Sequence, residues 1–322
     1  MKLRKLIVAG ALALGASAAH AQVVITQASV LAGGLSGSDT PGFPATLDEA
    51  GLYVLESNLT PPAATNAIDI TGRNVTLDLN GFVIDGGNRC TETGPNGNSC
   101  QGLLSDGTAL VNSDDAVQVR VRNGSVIGGT GRGISLRNFH IESPGVDVSN
   151  VYTAHNVAAG IGIELEGARL DRVQSTLNGS DGVYTYGEAL LSGVRTSRNG
   201  LYGTYIEGDA AVRGLLTTHN IGDGIFSNGV LHAVEASNNA NDGINTSLVV
   251  NARASDNGGN GAYLGLGVYE AVLTNNAFRA YANVPAASGG GCYGRLYVRT
   301  TSTMTPQVQD GVPMNGTVTA CP

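Results

Sequence analysis

The chain has 322 residues, of which 47 are glycine and none is tryptophan, and its formal net charge is −8 at pH 7. An acidic chain of this kind is a poor match for nucleic acid or for an anionic membrane surface, because both repel negative charge. Charged residues make up only 14% of the sequence and aromatic residues 5%, so we expect one thin β-solenoid with a core of small aliphatic side chains rather than two globular domains.

Residues 1–21 have the organisation of a signal peptide. Three basic residues within the first five precede an apolar stretch too short to span a bilayer, and Ala19-His20-Ala21 has the small-x-small pattern of a cleavage site. No later apolar run is long enough for a membrane helix. The sequence therefore predicts an exported soluble protein, periplasmic or extracellular, that starts at Gln22. Without the signal peptide it has 15 basic and 26 acidic residues, a formal charge of −11.

Residues 22–66 are predicted to form an N-terminal segment and cap. This segment contains four prolines and is largely loop-like. Apolar and polar residues then alternate over 67–87, with a turn at Asn80-Gly81, which is typical of strands. A related turn, Asn123-Gly124, follows 43 residues later, and we interpret this distance as about two turns of one coil.

The clearest pattern is a repeat of 18 to 22 residues that runs from residue 148 to residue 264. Each unit reads apolar-x-x-apolar-x-[Ser/Thr/Ala]-x-x-Asn-x-x-x-Gly, and such a period indicates the stacked units of a solenoid. A leucine-rich repeat would need several leucines and a helical segment per unit, whereas these units offer short Val-, Ile- and Thr-rich runs broken by Asn and Gly. The repeat therefore predicts a parallel β-helix over 67–281. Its anchoring asparagines are Asn156, Asn178, Asn199, Asn220, Asn239 and Asn257.

The recurring asparagines and glycines are predicted to be structural. The asparagine side chains should stack from turn to turn, bonded to one another and to the backbone at the bend. The glycine four residues after each asparagine is expected to take a positive φ angle, which glycine adopts freely. After residue 281 the pattern decays, and residues 282–322 are predicted to cap the last open turn.

All four cysteines lie outside the clean repeats. Cys90 and Cys100 bracket a Gly- and Asn-rich loop within a predicted insertion over 88–106, and Cys292 and Cys321 bracket the C-terminal tail. Four cysteines allow three connectivities, of which local pairing is the simplest, and export favours oxidation. A zinc site is the rival interpretation, but the spacing does not suit one and no histidine is close in sequence. We predict two disulfides, Cys90–Cys100 and Cys292–Cys321.

The segment GLYVLESNLT, the alternating stretch AIDITGRNVTLDLNGFVIDGG and the Asn-x-x-x-Gly-Ile turns together resemble the exported right-handed parallel β-helix repeat proteins of bacteria, in the pectin-lyase-like superfamily. The resemblance covers about residues 51–281. It implies three sheets, often an N-terminal cap, and frequently carbohydrate ligands on an outer sheet, but it does not fix an activity. The motifs of polygalacturonases, mannuronan epimerases and calcium nonapeptide repeats are missing, and the signature of pectate lyases does not map onto this chain.

A ladder of aromatic side chains is predicted on one outer sheet. Counting from the repeat glycine, the first and third positions are mostly apolar or small and should point inward, so that the second and fourth must point outward. Rows of exposed aromatic rings suit the stacking of sugar rings. Simple strand packing is the competing interpretation, because aromatic residues also favour strands and stack on their neighbours. The predicted substrate-binding residues are Tyr184, Tyr186, Tyr205, Phe226 and Tyr263.

Carboxylates flank this ladder. Glu164, Glu207 and Asp209 are the candidates for acid/base catalysis, and the two glutamates are predicted to lie two turns, roughly 9.6 Å, apart, near the upper end of the carboxylate separation in inverting glycosidases. Surface carboxylates are ordinarily just solvated, which is the competing interpretation. Asp223 and Asp242 precede repeat glycines on adjacent turns and would allow a shared Ca²⁺, although Asp-Gly is also a favoured turn pair. No other cofactor is expected.

Three functions remain open on the sequence alone. The first, which we favour, is an exported β-helix protein that binds a polysaccharide or cell-surface glycan on the aromatic sheet. The second is a polysaccharide lyase or glycoside hydrolase that uses the flanking carboxylates. The third is a structural rod or adhesin without a glycan site.

Overall fold

The chain winds into a parallel β-helix, which confirms the predicted all-β, right-handed solenoid. Among the residues described, no helix is long and apolar enough to cross a membrane. The predicted signal peptide and most of the predicted C-terminal cap lie outside the described residues. The structure is a computed structural model, and it describes residues 22–94, 98–100, 108–138, 145–274, 276–277, 281–283, 296–299 and 316–318.

The elements follow one another in chain order as one short helix and a succession of strands. The N-terminal part contains β1 (Val23–Ile25), α1 (Gln27–Ala32), β2 (Ala45–Leu47), β3 (Gly51–Leu55), β4 (Ile68–Ile70), β5 (Val75–Asp78), β6 (Val83–Asp85), β7 (Cys90–Glu92), β8 (Asn98–Cys100), β9 (Ala109–Ser113), β10 (Arg120–Ile127) and β11 (Arg132–Arg137). The clean repeats contain β12 (Asp147–Ala154), β13 (Ile161–Glu164), β14 (Ala168–Asp171), β15 (Gln174–Thr176), β16 (Val183–Tyr186), β17 (Ala189–Ser192), β18 (Arg195–Ser197), β19 (Thr204–Glu207), β20 (Ala210–Arg213), β21 (Leu216–Thr218), β22 (Ile225–Ser227), β23 (Val230–Ser237), β24 (Ile244–Ser255) and β25 (Ala262–Thr274). The C-terminal part contains β26 (Tyr281–Asn283), β27 (Leu296–Arg299) and β28 (Gly316–Val318).

Strands one turn apart pair in parallel and build three sheets along the coil, as the family resemblance implied. The first sheet runs through β11, β13, β16, β19, β22, β24 and β25. The second runs through β12, β14, β17, β20, β23 and β24, and the third through β12, β15, β18, β21, β23 and β24. Long strands such as β12, β23 and β24 continue around a corner, so that each serves more than one sheet.

The core consists of stacked aliphatic columns. In the first sheet, the first and third positions after each repeat glycine are buried, which confirms the predicted inward set. Burial of a Val or Leu side chain contributes roughly 1.5–3 kcal/mol, so that each turn adds its own share of stability. The column in the second sheet has exposures of 0–2% and consists of Val148, Leu170, Leu191, Val212, Leu231 and Val249.

The repeat asparagines form the predicted ladder inside one corner of the coil. The Oδ1 atom of Asn199 accepts hydrogen bonds from the backbone N and the Nδ2 atom of Asn178, at 3.2 and 3.0 Å. Nδ2 of Asn199 donates in turn to Asn220 Oδ1 at 2.9 Å. These amides are buried, so each one accepts hydrogen bonds from donors that would otherwise have no partner. The same side-chain bond continues through Asn156, Asn178, Asn199, Asn220, Asn239, Asn257 and Asn276.

The repeat glycines do not take a positive φ angle, so that this prediction was wrong. The positive φ belongs to the residue directly before each asparagine, for example Leu177 at 52° and Arg198 at 53°. The glycines are required by close approach instead. A Cβ atom on Gly203 would lie 2.5 Å from the carbonyl oxygen of Gly224 and 2.6 Å from Nδ2 of Asn220. The stacked asparagine amides and the next turn of backbone thus occupy the space that a side chain would need.

The coil extends into the N-terminal segment. β1 pairs in parallel with β3, and β2 with β4, so that parallel pairing begins at Val23. The turns Asn80-Gly81 and Asn123-Gly124 are one turn apart rather than the expected two, because Thr76 pairs directly with Arg120. The insertion predicted over 88–106 lies between these turns in sequence and accounts for the extra residues.

The insertion contains a disulfide-linked hairpin that packs against the outside of the coil. β7 and β8 pair antiparallel, and Cys90 and Cys100 are joined, as predicted. Nδ2 of Asn98 donates hydrogen bonds of 2.7 Å to the carbonyl oxygens of both Asn178 and Arg198. The hairpin therefore ties adjacent turns together. The predicted Cys292–Cys321 bond lies outside the described residues and stays a prediction.

Candidate functional site

The predicted aromatic residues share one outward column of the first sheet. The ring centroids of Tyr184 and Tyr205 are 5.5 Å apart with planes inclined by 20°, and those of Tyr205 and Phe226 are 4.8 Å apart with planes inclined by 5°. The neighbours of each ring along its strand are buried, so that the rings stand on the outer surface. In order along the coil the column contains Gly162, Tyr184, Tyr205, Phe226, Asn245 and Tyr263.

The stacked rings are partly exposed. The 4.8 Å between the centroids of Tyr205 and Phe226 lies within the range of about 4.5–7 Å over which aromatic pairs attract. Both side chains are half-buried.

Tyr202 adds a fourth ring from the neighbouring bend. Its ring centroid lies 5.2 Å from that of Tyr205 and 5.8 Å from that of Phe226, with the planes tilted by 45° and 46°. The sequence pattern did not single it out, because Asp181 and Asp223 occupy the equivalent position of the adjacent repeats. We call Tyr184, Tyr202, Tyr205 and Phe226 the aromatic face.

Arg132 lies at one end of the aromatic face. Its guanidinium carbon lies 5.5 Å from the ring centroid of Tyr184. Its side chain passes over Gly162, where a Cβ atom would meet the guanidinium at 2.7 Å. Nη1 donates to Oε1 of Glu164 at 2.5 Å, which holds the group in place. Gly162 thus leaves room for a planar cation where the next ring of the column would otherwise stand.

Tyr186 and Tyr263 do not belong to the stack. Tyr186 lies in the adjacent outward column and is 53% exposed. Tyr263 shares the aromatic column but is separated from Phe226 by Asn245, and it is 36% exposed. Their predicted part in binding a substrate stays a prediction.

The three candidate catalytic carboxylates do not form one group. Glu164 and Glu207 share an outward column with Tyr186 between them, so that they are two turns apart, as expected. Glu164 is engaged by Arg132. Asp209 lies past the end of β19, on a groove around the next corner. Their catalytic roles stay predictions.

Two other carboxylates at the edge of the aromatic face have raised pKa values. Burial raises the pKa of Asp181 to about 6, and burial together with the charge of Asp242 raises the pKa of Asp223 to about 6. Oδ1 of Asp181 accepts a hydrogen bond from the backbone N of Tyr202 at 3.1 Å. Carboxyl groups that titrate near neutrality at such a surface are candidate acids, although the sequence pattern assigned both to turns.

Asp223 and Asp242, the carboxylates for which the sequence would allow a shared Ca²⁺, accept hydrogen bonds from residues of the following turn. Oδ1 of Asp223 accepts from Nδ2 of Asn241 at 2.5 Å and from the backbone N of Asp242 at 3.1 Å. Oδ1 of Asp242 accepts from the backbone N and Nδ2 of Asn260, at 2.6 and 3.0 Å. Oδ2 of Asp223 accepts from Nδ2 of Asn245 at 3.3 Å, and the shared Ca²⁺ stays a prediction. Within the described ranges no group of three or more His, Cys, Asp or Glu side chains could hold a metal.

A groove of about 650 Å³ runs along the corner between the first and second sheets and crosses five turns. Small residues such as Ala168 and Ala189 line it. Leu190 lines the side that belongs to the second sheet and is 44% exposed. Glu188 and Asp209 lie at the corner itself. Asp209 therefore belongs to this groove and not to the aromatic face.

No family model and no curated protein matches the chain. Among solved structures, the Dettilon tailspike protein is similar over 80% of this chain and 57% of its own, with 12% identity and a TM-score of 0.46. Pectate lyase Pel9A is similar over 84% of this chain and 68% of its own, with 12% identity and a TM-score of 0.43. The periplasmic alginate epimerase AlgG, as a point mutant, is similar over 74% and 76%, with 12% identity and a TM-score of 0.39.

This chain thus spans less than two thirds of the tailspike. At such identities no activity is transferred from any of these proteins. The strand register by itself defines a parallel β-helix, the fold that the pectin-lyase-like resemblance implied.

Proposed function

We propose that this chain is an exported β-helix protein that binds a polysaccharide on its aromatic face. The observation that carries the proposal is the stack of Tyr184, Tyr205 and Phe226 on the outside of the first sheet, joined by Tyr202. A contiguous apolar patch on the surface of a soluble protein commonly marks an interaction site.

The geometry suits a long ligand that lies along the coil axis. Successive rings are one turn apart, which is about 4.8 Å in a parallel sheet, so that a chain of sugars meets a new ring at regular intervals. The apolar face of a sugar ring packs favourably on aromatic side chains. The phenol groups of the tyrosines and the carboxylate of Glu207 provide partners for sugar hydroxyls. Apolar contact and hydrogen bonding are thus available at the same spacing.

Export is supported by two features of the chain. The first 21 residues have the pattern of a signal peptide. The Cys90–Cys100 disulfide is typical of proteins that fold in an oxidising compartment. The periplasm and the medium are both such compartments.

The test is a glycan-array screen of the protein lacking residues 1–21, with reducing-sugar and unsaturated-product assays on the same acidic and neutral polysaccharides. Binding without cleavage is the expected result. An array without any bound glycan would contradict the proposal and favour a structural rod.

A second candidate function, cleavage of the bound polysaccharide, is favoured by the raised pKa values of Asp181 and Asp223 at the edge of the aromatic face. Release of new reducing ends or unsaturated sugars that is abolished in Asp181→Asn or Asp223→Asn, with binding retained, would establish it. Glu207→Gln tests the carboxylate predicted from the sequence in the same assay.

A further inference from the structure

The surroundings of the aromatic face are acidic. Glu164 and Glu207 stand in the adjacent outward column, and Asp181 and Asp223 lie at the bend on the other side. β13, β16, β19 and β22 contain no lysine or arginine. The nearby cations lie on β11: Arg132 is already paired with Glu164, and Arg137, the strand partner of Glu164, donates a hydrogen bond to Ser135.

The carboxylates affect the tyrosine hydroxyls of the aromatic face electrostatically. After burial, the charges of Glu164 and Glu207 contribute to the raised pKa of the Tyr184 hydroxyl, and those of Glu207 and Asp181 contribute to the raised pKa of the Tyr205 hydroxyl. A ligand that contacts these hydroxyls therefore lies within the same negative field. Fixed charges of one sign along a binding surface select against ligands of that sign and speed the encounter with the opposite sign.

We infer that the polymer bound by the aromatic face carries free amino groups, as a glucosamine polymer does, and is not a polyuronate. A protonated amine finds a carboxylate partner in Glu207 and a cation–π partner in the aromatic rings. The carboxylates of a polyuronate would face Glu164, Glu207 and Asp181, with Arg132 unable to serve them without leaving Glu164. The inference rests on the proposed function and specifies its ligand.

The experiment compares three oligosaccharides of equal length by calorimetric titration in the presence of a chelator: a glucosamine oligomer, its fully N-acetylated counterpart and an oligogalacturonate. The amine oligomer is expected to bind about tenfold more tightly than the acetylated one at about 0.01 M salt, and the difference should shrink at about 1 M salt. The oligogalacturonate is expected to bind most weakly.

Glu207→Gln removes one charge beside the rings, and Glu235→Gln, on the exposed side of the third sheet, is the matched control. Glu207→Gln should weaken the affinity for the amine oligomer about threefold to tenfold more than the affinity for the acetylated one, and Glu235→Gln should change neither affinity. Equal affinity for the amine and acetylated oligomers, or tightest binding of the oligogalacturonate, would overturn the inference and leave the proposed function standing. Failure of all three to bind would also overturn the inference, and the glycan array decides the proposed function separately.

Discussion

Tyr205 and Phe226, one turn apart, lie with their ring centroids 4.8 Å apart and their planes within 5° of parallel. The separation is close to the spacing of paired strands, so that the sheet itself sets the distance between the rings. The regular spacing of the rings is therefore a consequence of strand pairing and not of a particular loop. The backbone of the coil thus preorganises the aromatic face.

The asparagine ladder should dominate the stability of the repeats. Asn199→Ala removes the oxygen that accepts from both the backbone N and the Nδ2 atom of Asn178, which leaves two buried donors without a partner. The expected loss is about 2–4 kcal/mol in the free energy of unfolding, measured by denaturant titration. Asn228→Ala, at an exposed position, is the control and should change it by less than about 0.5 kcal/mol. Equal losses in the two variants would contradict a structural role for the ladder.

Close approach at the repeat glycines gives a second stability prediction. Gly203→Ala places a Cβ atom against the carbonyl oxygen of Gly224 and the amide of Asn220, so that the turns must move apart. We expect a loss of about 1–3 kcal/mol in the free energy of unfolding. Gly51→Ala is the control, because the nearest atom to its Cβ is a ring carbon of Tyr53 at 3.9 Å. A Gly203→Ala protein as stable as Gly51→Ala would refute the steric explanation.

The pH dependence of stability should change when Asp223 is replaced. Burial raises its pKa to about 6 in the folded protein, above the ordinary value of 3.8. Between these two values the folded state holds more protons than the unfolded state, so that this group lowers the free energy of unfolding as pH rises from about 4 to about 6. Asp223→Asn keeps the shape and removes the titration. In wild type this titration lowers the free energy of unfolding at about pH 7 relative to about pH 4. In the variant the pH 7 value should therefore be higher, relative to the pH 4 value, by about 1–3 kcal/mol.

Thermal and denaturant unfolding across this pH range provide the measurement. Asp256→Asn, at an exposed position outside the aromatic face, is the matched control and should keep the wild-type profile. An unchanged profile in Asp223→Asn would show that this carboxyl is not the group that titrates there.

The disulfide hairpin should hold adjacent turns of the coil. Replacement of Cys90 and Cys100 by serine frees the strands that carry Asn98, whose side chain bonds to the carbonyls of Asn178 and Arg198. We expect a loss of about 2–3 kcal/mol in the free energy of unfolding. Amide exchange should quicken around these two turns while distant turns stay protected. Uniform protection in both proteins would mean that the hairpin contributes nothing to the coil.

The repeat made much of the fold predictable, because one residue type recurs wherever the coil imposes one environment. The asparagine ladder, the inward columns and the aromatic column all follow from a fixed register. The prediction of a positive φ angle for the repeat glycines was wrong. Glycine suits both a positive φ and a tight contact, and only coordinates distinguish the two. The roles of Tyr202 and Arg132 could not be predicted for a related reason. Each departs from the repeat, and its contacts are made with a neighbouring turn. The burial of Asp181 and Asp223 likewise arises between turns and leaves no mark in a single repeat.

Binding of a glycan by wild-type protein and by Tyr205→Ala, with Tyr152→Ala as the control, tests the central claim most directly. Tyr205 lies between two rings of the aromatic face, whereas Tyr152 is a tyrosine of similar surface position, 37% exposed, on the third sheet. For a glycan selected on the array, Tyr205→Ala should weaken affinity about fivefold to tenfold or more while Tyr152→Ala leaves it unchanged. Undiminished binding by a folded Tyr205→Ala protein would contradict the claim that the aromatic face is the binding surface.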